Sequence, residues 1–387
     1  MRPKKLNNVL FIGTGGGNDV ASTPLAMSAL WNRGWRWDSC DLGGVISPFH
    51  DHTNLERWVG QAYKTSTQSE RHLIRHDNKR SIGFVDATVQ RMVETEHPFL
   101  ARQVINFSVA EGTQGITDTL RLLRDEYDFI VLVDLGGDIF FAGERDQHVL
   151  SPMFDAIMLR GFVDANVPGI LFEAGPGTDG ELTPEALRES LTLSQAEAYH
   201  LNTRVLKDWY AYHLKWIAPM RAGRTAEITL SAFMSRASEL SIPYRARAHL
   251  AGMENMYAYH DQRIATDLCR QYFLVDPRKI KNPFAVTCTG PRDWFEQTQF
   301  IQATNNEARL EYLRGEDGKV YQFASPSPLF PEEDRFILAE RMMHDFLEVG
   351  ACDALLLMPE DWERLQRNNW HYKVTPRDTG RLIEIHR

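Results

Sequence analysis

Five acidic side chains stand in or beside three glycine-rich stretches of this 387-residue chain: Asp19, Asp134, Asp138, Asp179 and Glu181. Carboxylates can hold a divalent metal ion, accept hydrogen bonds from sugar hydroxyls, bind an ammonium group or transfer protons. Glycine brings backbone N–H groups close to an anionic ligand because it has no Cβ to block the approach. The combination predicts a small-molecule site built from three loops.

The first stretch follows an apolar run at residues 9–12 and precedes a run of small residues that indicates a helix. We expect it to contact the anionic part of a substrate through Gly13, Thr14, Gly15, Gly16, Gly17, Asn18 and Asp19. It lacks the Gly-Lys-Ser/Thr ending of a P-loop and the third glycine of the dinucleotide fingerprint. Asp38 and Asp41 lie near the position at which an acidic residue would bind a ribose hydroxyl.

The second and third stretches also follow apolar runs, at residues 130–133 and 169–172. Because parallel strands end at one edge of a sheet, we expect the three loops to meet there. Their predicted catalytic residues are Asp134, Asp138, Asp179 and Glu181, and their predicted substrate contacts are Gly136, Gly137 and Gly177. Asp134 and Asp138 are also the predicted ligands of a Mg²⁺ cofactor.

Other polar residues give weaker patterns. His50 is a further candidate substrate contact, in a His-Asp-His sequence without a marked third metal ligand. Asp155 could complete the wall of the second loop, whereas Ser151 is better interpreted as a helix cap. No Gly-x-Ser-x-Gly sequence occurs and no cysteine has a marked partner, which disfavours a serine or cysteine nucleophile.

The alternation of strands and helices predicts an α/β fold, Rossmann-like, with a mainly parallel sheet and helices on both faces. Residues 1–190 are predicted to form the glycine-loop core, and residues 191–387 a helical and mixed region that packs on it or completes it. Within this scheme residues 54–63 are predicted to be a helix and residues 183–275 mostly helical. Further predictions are strands at residues 81–88 and 354–358 and helices at residues 331–347 and 360–366.

Composition excludes several classes of protein. The net charge of −9, without a long basic block, disfavours nucleic acid as a partner. No apolar run approaches the roughly 20 residues that span a bilayer. Four scattered cysteines suit a reducing compartment. We therefore expect a cytoplasmic protein with a small-molecule substrate and no membrane partner; a homo-oligomer is compatible with the sequence.

Three motifs together resemble the domain-of-unknown-function family 1152. They are the sequences at residues 13–20, at 134–138 with Ser151-Pro152-x-x-Asp155 downstream, and at 175–182. The resemblance covers residues 8–285 and implies a Rossmann-like α/β fold, but it implies no reaction. A shorter similarity, Gly16-Gly17-Asn18-Asp19 against a Gly-Gly-Asn-Glu loop, resembles the D-glutamate cyclase group.

Three functions follow as hypotheses. The first is a Mg²⁺-assisted transferase or hydrolase that acts on a nucleotide, a nucleoside or a phosphorylated sugar. The second is a metal-free lyase or cyclase that acts on a small amino-acid-like substrate, whose ammonium group would meet the carboxylates. The third is a nucleotide-sensing module without catalysis.

Overall fold

The computed structural model describes residues 5–15, 18–46, 55–65, 101–109, 111–143, 149, 152–213, 224–235, 241–250, 253–264, 267–284 and 286–289, with five short strands between residues 313 and 386. The helices are α1 (Asn18–Asn32), α2 (Gly112–Leu122), α3 (Met153–Ala165), α4 (Pro184–Leu193), α5 (Thr203–Tyr212) and α6 (Arg224–Met234). None of the described helices has the length and apolar character needed to cross a bilayer.

Eleven of the described strands form two sheets: β1 (Lys5–Gly13), β2 (Arg36–Ile46), β3 (Leu55–Val59), β4 (Ala62–Thr65), β5 (Ala101–Ser108), β6 (Phe129–Leu135), β7 (Gly169–Ala174), β8 (Glu197–Tyr199), β9 (Ser241–Leu250), β10 (Met253–Ile264) and β11 (Tyr272–Val275). Nine of them form the central sheet, in the order β3-β4-β5-β2-β1-β6-β7-β11-β8. Strands β9 and β10 pair with each other as an antiparallel hairpin.

The middle of the central sheet is parallel. Strands β5, β2, β1, β6 and β7 pair in parallel, and antiparallel strands extend the sheet at both ends. Counted along the chain, these parallel strands lie in the order 3-2-1-4-5, which is the order of the Rossmann fold. The direction of winding reverses between β1 and β6. Ligands of such sheets bind outside the carboxyl ends of the strands at this reversal.

Alternating side chains give the sheet an apolar layer on each face. Leu10 and Leu132 pack in the core with α2 and α3, which lie on what we call the α3 face. Phe11 and Val131 pack with α1, α5 and α6 on the opposite face. The prediction of an α/β fold with helices on both faces of a mainly parallel sheet is therefore confirmed.

Strands from both sides of residue 190 complete this sheet, since β11 pairs with β7 and β8 pairs with β11.

Helix α4 begins as its sequence indicates: the Thr183 hydroxyl accepts a hydrogen bond from the N–H of Ala186, and Pro184 occupies the first turn.

Two predictions of helix are wrong. The sequence predicts a helix at residues 54–63, but residues 55–63 contain β3 and the first half of β4, joined at Gly60, whose φ is +54°. The β4 backbone pairs with β5, and this pairing outweighs local helix propensity. Residues 183–275 are not mostly helical either, because the long hairpin of β9 and β10 lies within them. Aromatic residues such as Tyr257 and Tyr259 favour strands when a partner strand is available.

The chain also contains a five-stranded mixed sheet: β12 (Leu313–Arg314), β13 (Val320–Phe323), β14 (Ala354–Leu357), β15 (Lys373–Pro376) and β16 (Ile383–His386). Its order is β12-β13-β14-β16-β15, with β13 and β14 parallel. The strand predicted at residues 354–358 is β14. The strand predicted at residues 81–88 and the helices predicted at 331–347 and 360–366 lie outside the described residues.

Candidate metal and substrate site

The described part of the first loop uses its backbone N–H groups within the protein. Gly13 ends β1, where a Cβ would lie 2.3 Å from a backbone nitrogen of α1, so glycine allows the helix to begin close to the strand. The N–H and hydroxyl of Thr14 both donate to the Val133 carbonyl, at 3.0 and 3.2 Å. The N–H of Gly15 donates to the carboxylate of Asp19 at 2.6 Å. These two N–H groups therefore hold the loop and an acidic side chain, and neither is directed at a ligand.

The three loops come together at the carboxyl edge of the sheet. Gly13 pairs with Val133, which joins the first loop to the second. The N–H of Gly177 donates to the Gly136 carbonyl at 2.5 Å, which joins the second loop to the third. Gly136 and Gly137 have φ values of +114° and +109°, a region that favours glycine. At Gly136 a Cβ would also lie 2.7 Å from the Asp179 Cβ, so the second and third loops touch.

Three buried carboxylates converge where these loops meet. Asp19 lies in the first turn of α1, Asp134 near the end of β6 and Asp155 in the first turn of α3. One carboxylate oxygen from each lies within 4.8 Å of the other two. Gly15 lies between two of them: its Cβ would be 2.7 Å from Asp19 Oδ2 and 2.8 Å from Asp155 Oδ2. We call Asp19, Asp134 and Asp155 the aspartate cluster.

The aspartate cluster could hold a metal ion. Asp134 and Asp155 are almost fully buried, and no hydrogen bond from the described part of the chain reaches their carboxylate oxygens. A buried carboxylate without a donor or a cation is costly, so the arrangement favours a positive ligand. Three carboxylates are a hard oxygen donor set, which suits Mg²⁺, Ca²⁺ or Mn²⁺.

A fourth buried acid stands beside the cluster. Glu173 on β7 is the register partner of Asp134 on β6, and the strand alternation places both on the α3 face. Both side chains are fully buried, and their carboxyl groups lie within hydrogen-bonding reach of each other. Two adjacent acids of this kind share a proton when no cation is bound.

Three further acids lie around the aspartate cluster, and we call the region among all these carboxyl groups the crevice. Asp138 is half-buried and begins a short 3₁₀ turn, Asp138–Phe140. Asp179 and Glu181 are buried, and Asp179 Oδ1 accepts a hydrogen bond from the N–H of Glu181 at 2.9 Å. All three interact electrostatically with members of the aspartate cluster. The crevice is therefore strongly negative when these acids are ionised.

Burial raises the pKa of the acids at the centre. Desolvation, followed by repulsion from Asp134 and Asp155, raises the pKa of Asp19 well above its usual range, although the Gly15 N–H opposes this. Desolvation and the neighbouring Glu173 raise the pKa of Asp134 in the same direction. Desolvation raises the pKa of Asp155 to about 7.

Burial also raises the pKa values of Asp138 and Glu173. Desolvation, then repulsion from Asp155 and Asp134, raises the pKa of Asp138 well above its usual range. Desolvation is also the first cause that raises the pKa of Glu173, with repulsion from Asp179 adding to it. A cation in the crevice would reverse these shifts, since it favours the ionised forms.

The other residues predicted to contact a substrate do not share one environment. Gly177 lies against Leu187 of α4, and Asn18 begins α1. Gly16, Gly17 and His50 lie outside the described residues. Asp41 is not placed to bind a ribose, because the Tyr127 hydroxyl donates to its carboxylate at 2.5 Å in the protein interior.

Two residues of the site have weak signals in the sequence. Glu173 is not among the predicted site residues, although it follows an apolar run just as Asp134 does on the neighbouring strand. Asp155 is predicted only to line the second loop, whereas it joins Asp134 in the aspartate cluster; Asp138, the other predicted metal ligand, is not in that group of three.

The fold and the site define a Rossmann-type α/β protein with a buried acidic site at the reversal point of its sheet. Its sequence matches the model of the family described as Protein of unknown function (DUF1152) over residues 61–279. That match covers more than half of the chain, and the protein belongs to this family. No match was found among curated proteins or among solved structures.

Proposed function

We propose that the protein is a Mg²⁺-assisted enzyme, a transferase or hydrolase, that acts on a nucleotide, a nucleoside or a phosphorylated sugar. One observation carries the proposal: three buried carboxylates, two of them without hydrogen-bond donors in the described part of the chain, converge at the reversal point of a Rossmann-ordered sheet. Asp19, Asp134 and Asp155 would hold the ion. It would supply positive charge to a phosphoryl or hydroxyl oxygen of the substrate.

The chain's own residues have separate roles in this proposal. Asp138 is more exposed than the aspartate cluster and lies beside it, so it is our candidate for the general base. Asp179 and Glu181 come from the third loop and would accept hydrogen bonds from substrate hydroxyls. Gly136, Gly137 and Gly177 allow the second and third loops to approach each other closely.

Two experiments test this function on the full chain. The first measures thermal unfolding with Mg²⁺ alone, and then with Mg²⁺ plus adenosine, AMP, ADP, ATP or ribose 5-phosphate. We expect Mg²⁺ to raise the melting temperature and one of these compounds to raise it further. The second follows turnover of that compound by product analysis, in the parent protein and in Asp138→Asn. We expect the variant to bind the compound normally and to lose turnover.

The two alternatives give different results. A metal-free lyase or cyclase would show no response to Mg²⁺ and would respond to amino-acid-like compounds, whose ammonium group can meet the same carboxylates. The observation that favours this alternative is the number of acids in the crevice, which exceeds what one metal ion needs as ligands. A sensing module would bind a nucleotide and turn over no compound of the panel.

A further inference from the structure

Glu173 is a buried acid that a single ion in the aspartate cluster leaves without a role. Its side chain is fully buried at the end of β7, and neither carboxylate oxygen receives a hydrogen bond from an N–H or a hydroxyl group in the described ranges. Its near neighbour is another acid, Asp134, one strand away in register. Such a pair requires either a shared proton or a cation, because two unshielded charges at this distance repel strongly.

We propose that the site holds a second divalent cation, between Asp134 and Glu173, with Asp134 bridging the two ions. The inference rests on the proposed function, because the first ion is what makes Asp134 a shared ligand. It assigns to Glu173 the role of a metal ligand.

The geometry of the sheet suits this position. Neighbouring strands lie about 4.8 Å apart, so in-register side chains on one face can reach a common ion. Both carboxyl groups lie on the α3 face, which also carries Asp155. Mg²⁺ commonly takes only one or two protein carboxylates and completes its shell with water and substrate oxygens. Paired ions in such sites stand about 3.5–4 Å apart, a distance that one carboxylate can bridge.

The charge of the crevice favours two ions over one. Seven acids interact there: Asp19, Asp134, Asp138, Asp155, Glu173, Asp179 and Glu181. When all seven are ionised, one divalent ion offsets two of the negative charges and leaves a surplus that repels a phosphate. A second ion offsets two more, and it would give a phosphorylated substrate a positive partner on the β7 side of the crevice.

The test uses Mn²⁺ alone as the probe and the full chain as the protein. Equilibrium dialysis gives the number of Mn²⁺ ions per chain, and electron paramagnetic resonance reports whether two bound ions are exchange-coupled. We expect two coupled ions in the parent, and one uncoupled ion in Glu173→Gln, which keeps the shape of the side chain and removes its charge. Glu185→Gln, an exposed change of the same type on α4, is the matched control and keeps two ions.

Each outcome decides a different point. One ion in the parent overturns the second site and leaves the proposed function standing, whereas no ion in the parent overturns both. Two coupled ions in Glu173→Gln overturn the assignment to Glu173. If that variant does not fold, Glu173→Asp replaces it; drawing the carboxylate back should weaken the second ion about tenfold or more and leave the first unchanged. Equal affinities in Glu173→Asp and the parent would count against the second site.

Discussion

The backbone N–H of Gly15 donates to Asp19 Oδ2 at 2.6 Å, so the glycine loop holds one carboxylate of the aspartate cluster directly. The same residue leaves space for a second carboxylate, since its missing Cβ would lie 2.8 Å from Asp155 Oδ2. The glycine-rich sequence suggests a cradle for an anion. In the structure this part of it instead brings two acidic side chains together, an arrangement that could hold a cation.

Gly15→Ala should impair metal binding more than folding. The added methyl group meets the ends of two carboxylates, which can move away, and Gly15 is not among the residues with positive φ, so alanine causes no backbone strain there. We expect the affinity for Mn²⁺ to fall about tenfold to a hundredfold. The free energy of unfolding of the metal-free protein should change by less than about 1 kcal/mol. Calorimetric titration and chemical denaturation measure the two quantities. Unchanged Mn²⁺ affinity would remove Gly15 from the site.

Asp155→Asn should separate metal binding from stability. The substitution removes a ligand of the ion, so the rise in melting temperature caused by Mg²⁺ should disappear. It also removes a buried charge that repels its neighbours, so the metal-free protein at pH 8 should gain about 1–3 kcal/mol of unfolding free energy. Asp118→Asn on the exposed face of α2 is the control, which should change neither quantity. A variant that still responds to Mg²⁺ like the parent would exclude Asp155 as a ligand.

The stability of the metal-free protein should fall as pH rises. Burial raises the pKa of Asp155 in the folded state to about 7, from an ordinary value of 3.8 in the unfolded state. Between these values the folded protein holds a proton that the unfolded chain has released, so the free energy of unfolding decreases with increasing pH. Calorimetry in the presence of a chelator, from pH 5 to pH 8, checks this slope.

With saturating Mg²⁺, the free energy of unfolding should instead increase as pH rises, because metal binding releases the protons and favours the ionised carboxylates. Asp155→Asn provides the control, since its metal-free slope should be shallower than that of the parent. A metal-free protein that gains stability steadily from pH 5 to pH 8 would contradict the raised pKa values.

Asn282 should affect the metal site from a distance. Its side-chain N–H donates at 2.8 Å to the carbonyl of Ala156, the residue after Asp155, while its oxygen accepts a hydrogen bond from the N–H of Phe284. Asn282→Asp keeps that oxygen but replaces the donor to Ala156 with a carboxylate oxygen. We expect weaker Mn²⁺ binding, although the new negative charge alone would strengthen it.

A matched control exists on the same segment. Thr287 donates to Asp164 near the other end of α3, so Thr287→Val removes a contact with that helix without touching its first turn. It should leave Mn²⁺ affinity unchanged. Equal or tighter binding in Asn282→Asp would show that this contact does not position Asp155.

The sequence predicts the frame of the site well, because the frame depends on local signals. Apolar runs that stop at glycine and aspartate mark strand ends, and parallel strands end on one side. Which aspartates belong to the aspartate cluster and which lie beside it could not be predicted, because this depends on distances between residues far apart in the chain. Asp155 reaches the cluster from α3, and only the packing of α3 on the sheet reveals this. Glu173 could have been found by aligning β6 with β7.

The wrong helix at residues 54–63 has a related cause. Leu55–Val59 and Ala62–Thr65 contain residues that tolerate both helix and strand, and the choice depends on a partner more than 35 positions later in the chain, β5. The glycine at position 60 is the local feature of the sequence that indicates a turn. In the structure its φ is +54°, a value that favours glycine. Long-range strand pairing is the information that single-sequence patterns lack.

The most direct test of the account is a crystal of the full chain grown with Mn²⁺, with anomalous diffraction recorded at the manganese edge. We predict an anomalous peak in contact with the carboxylates of Asp19, Asp134 and Asp155, at about 2.1 Å from the ligand oxygens. A crystal with Mn²⁺ bound at other residues, or with the three carboxylates free of metal at saturating Mn²⁺, would contradict it.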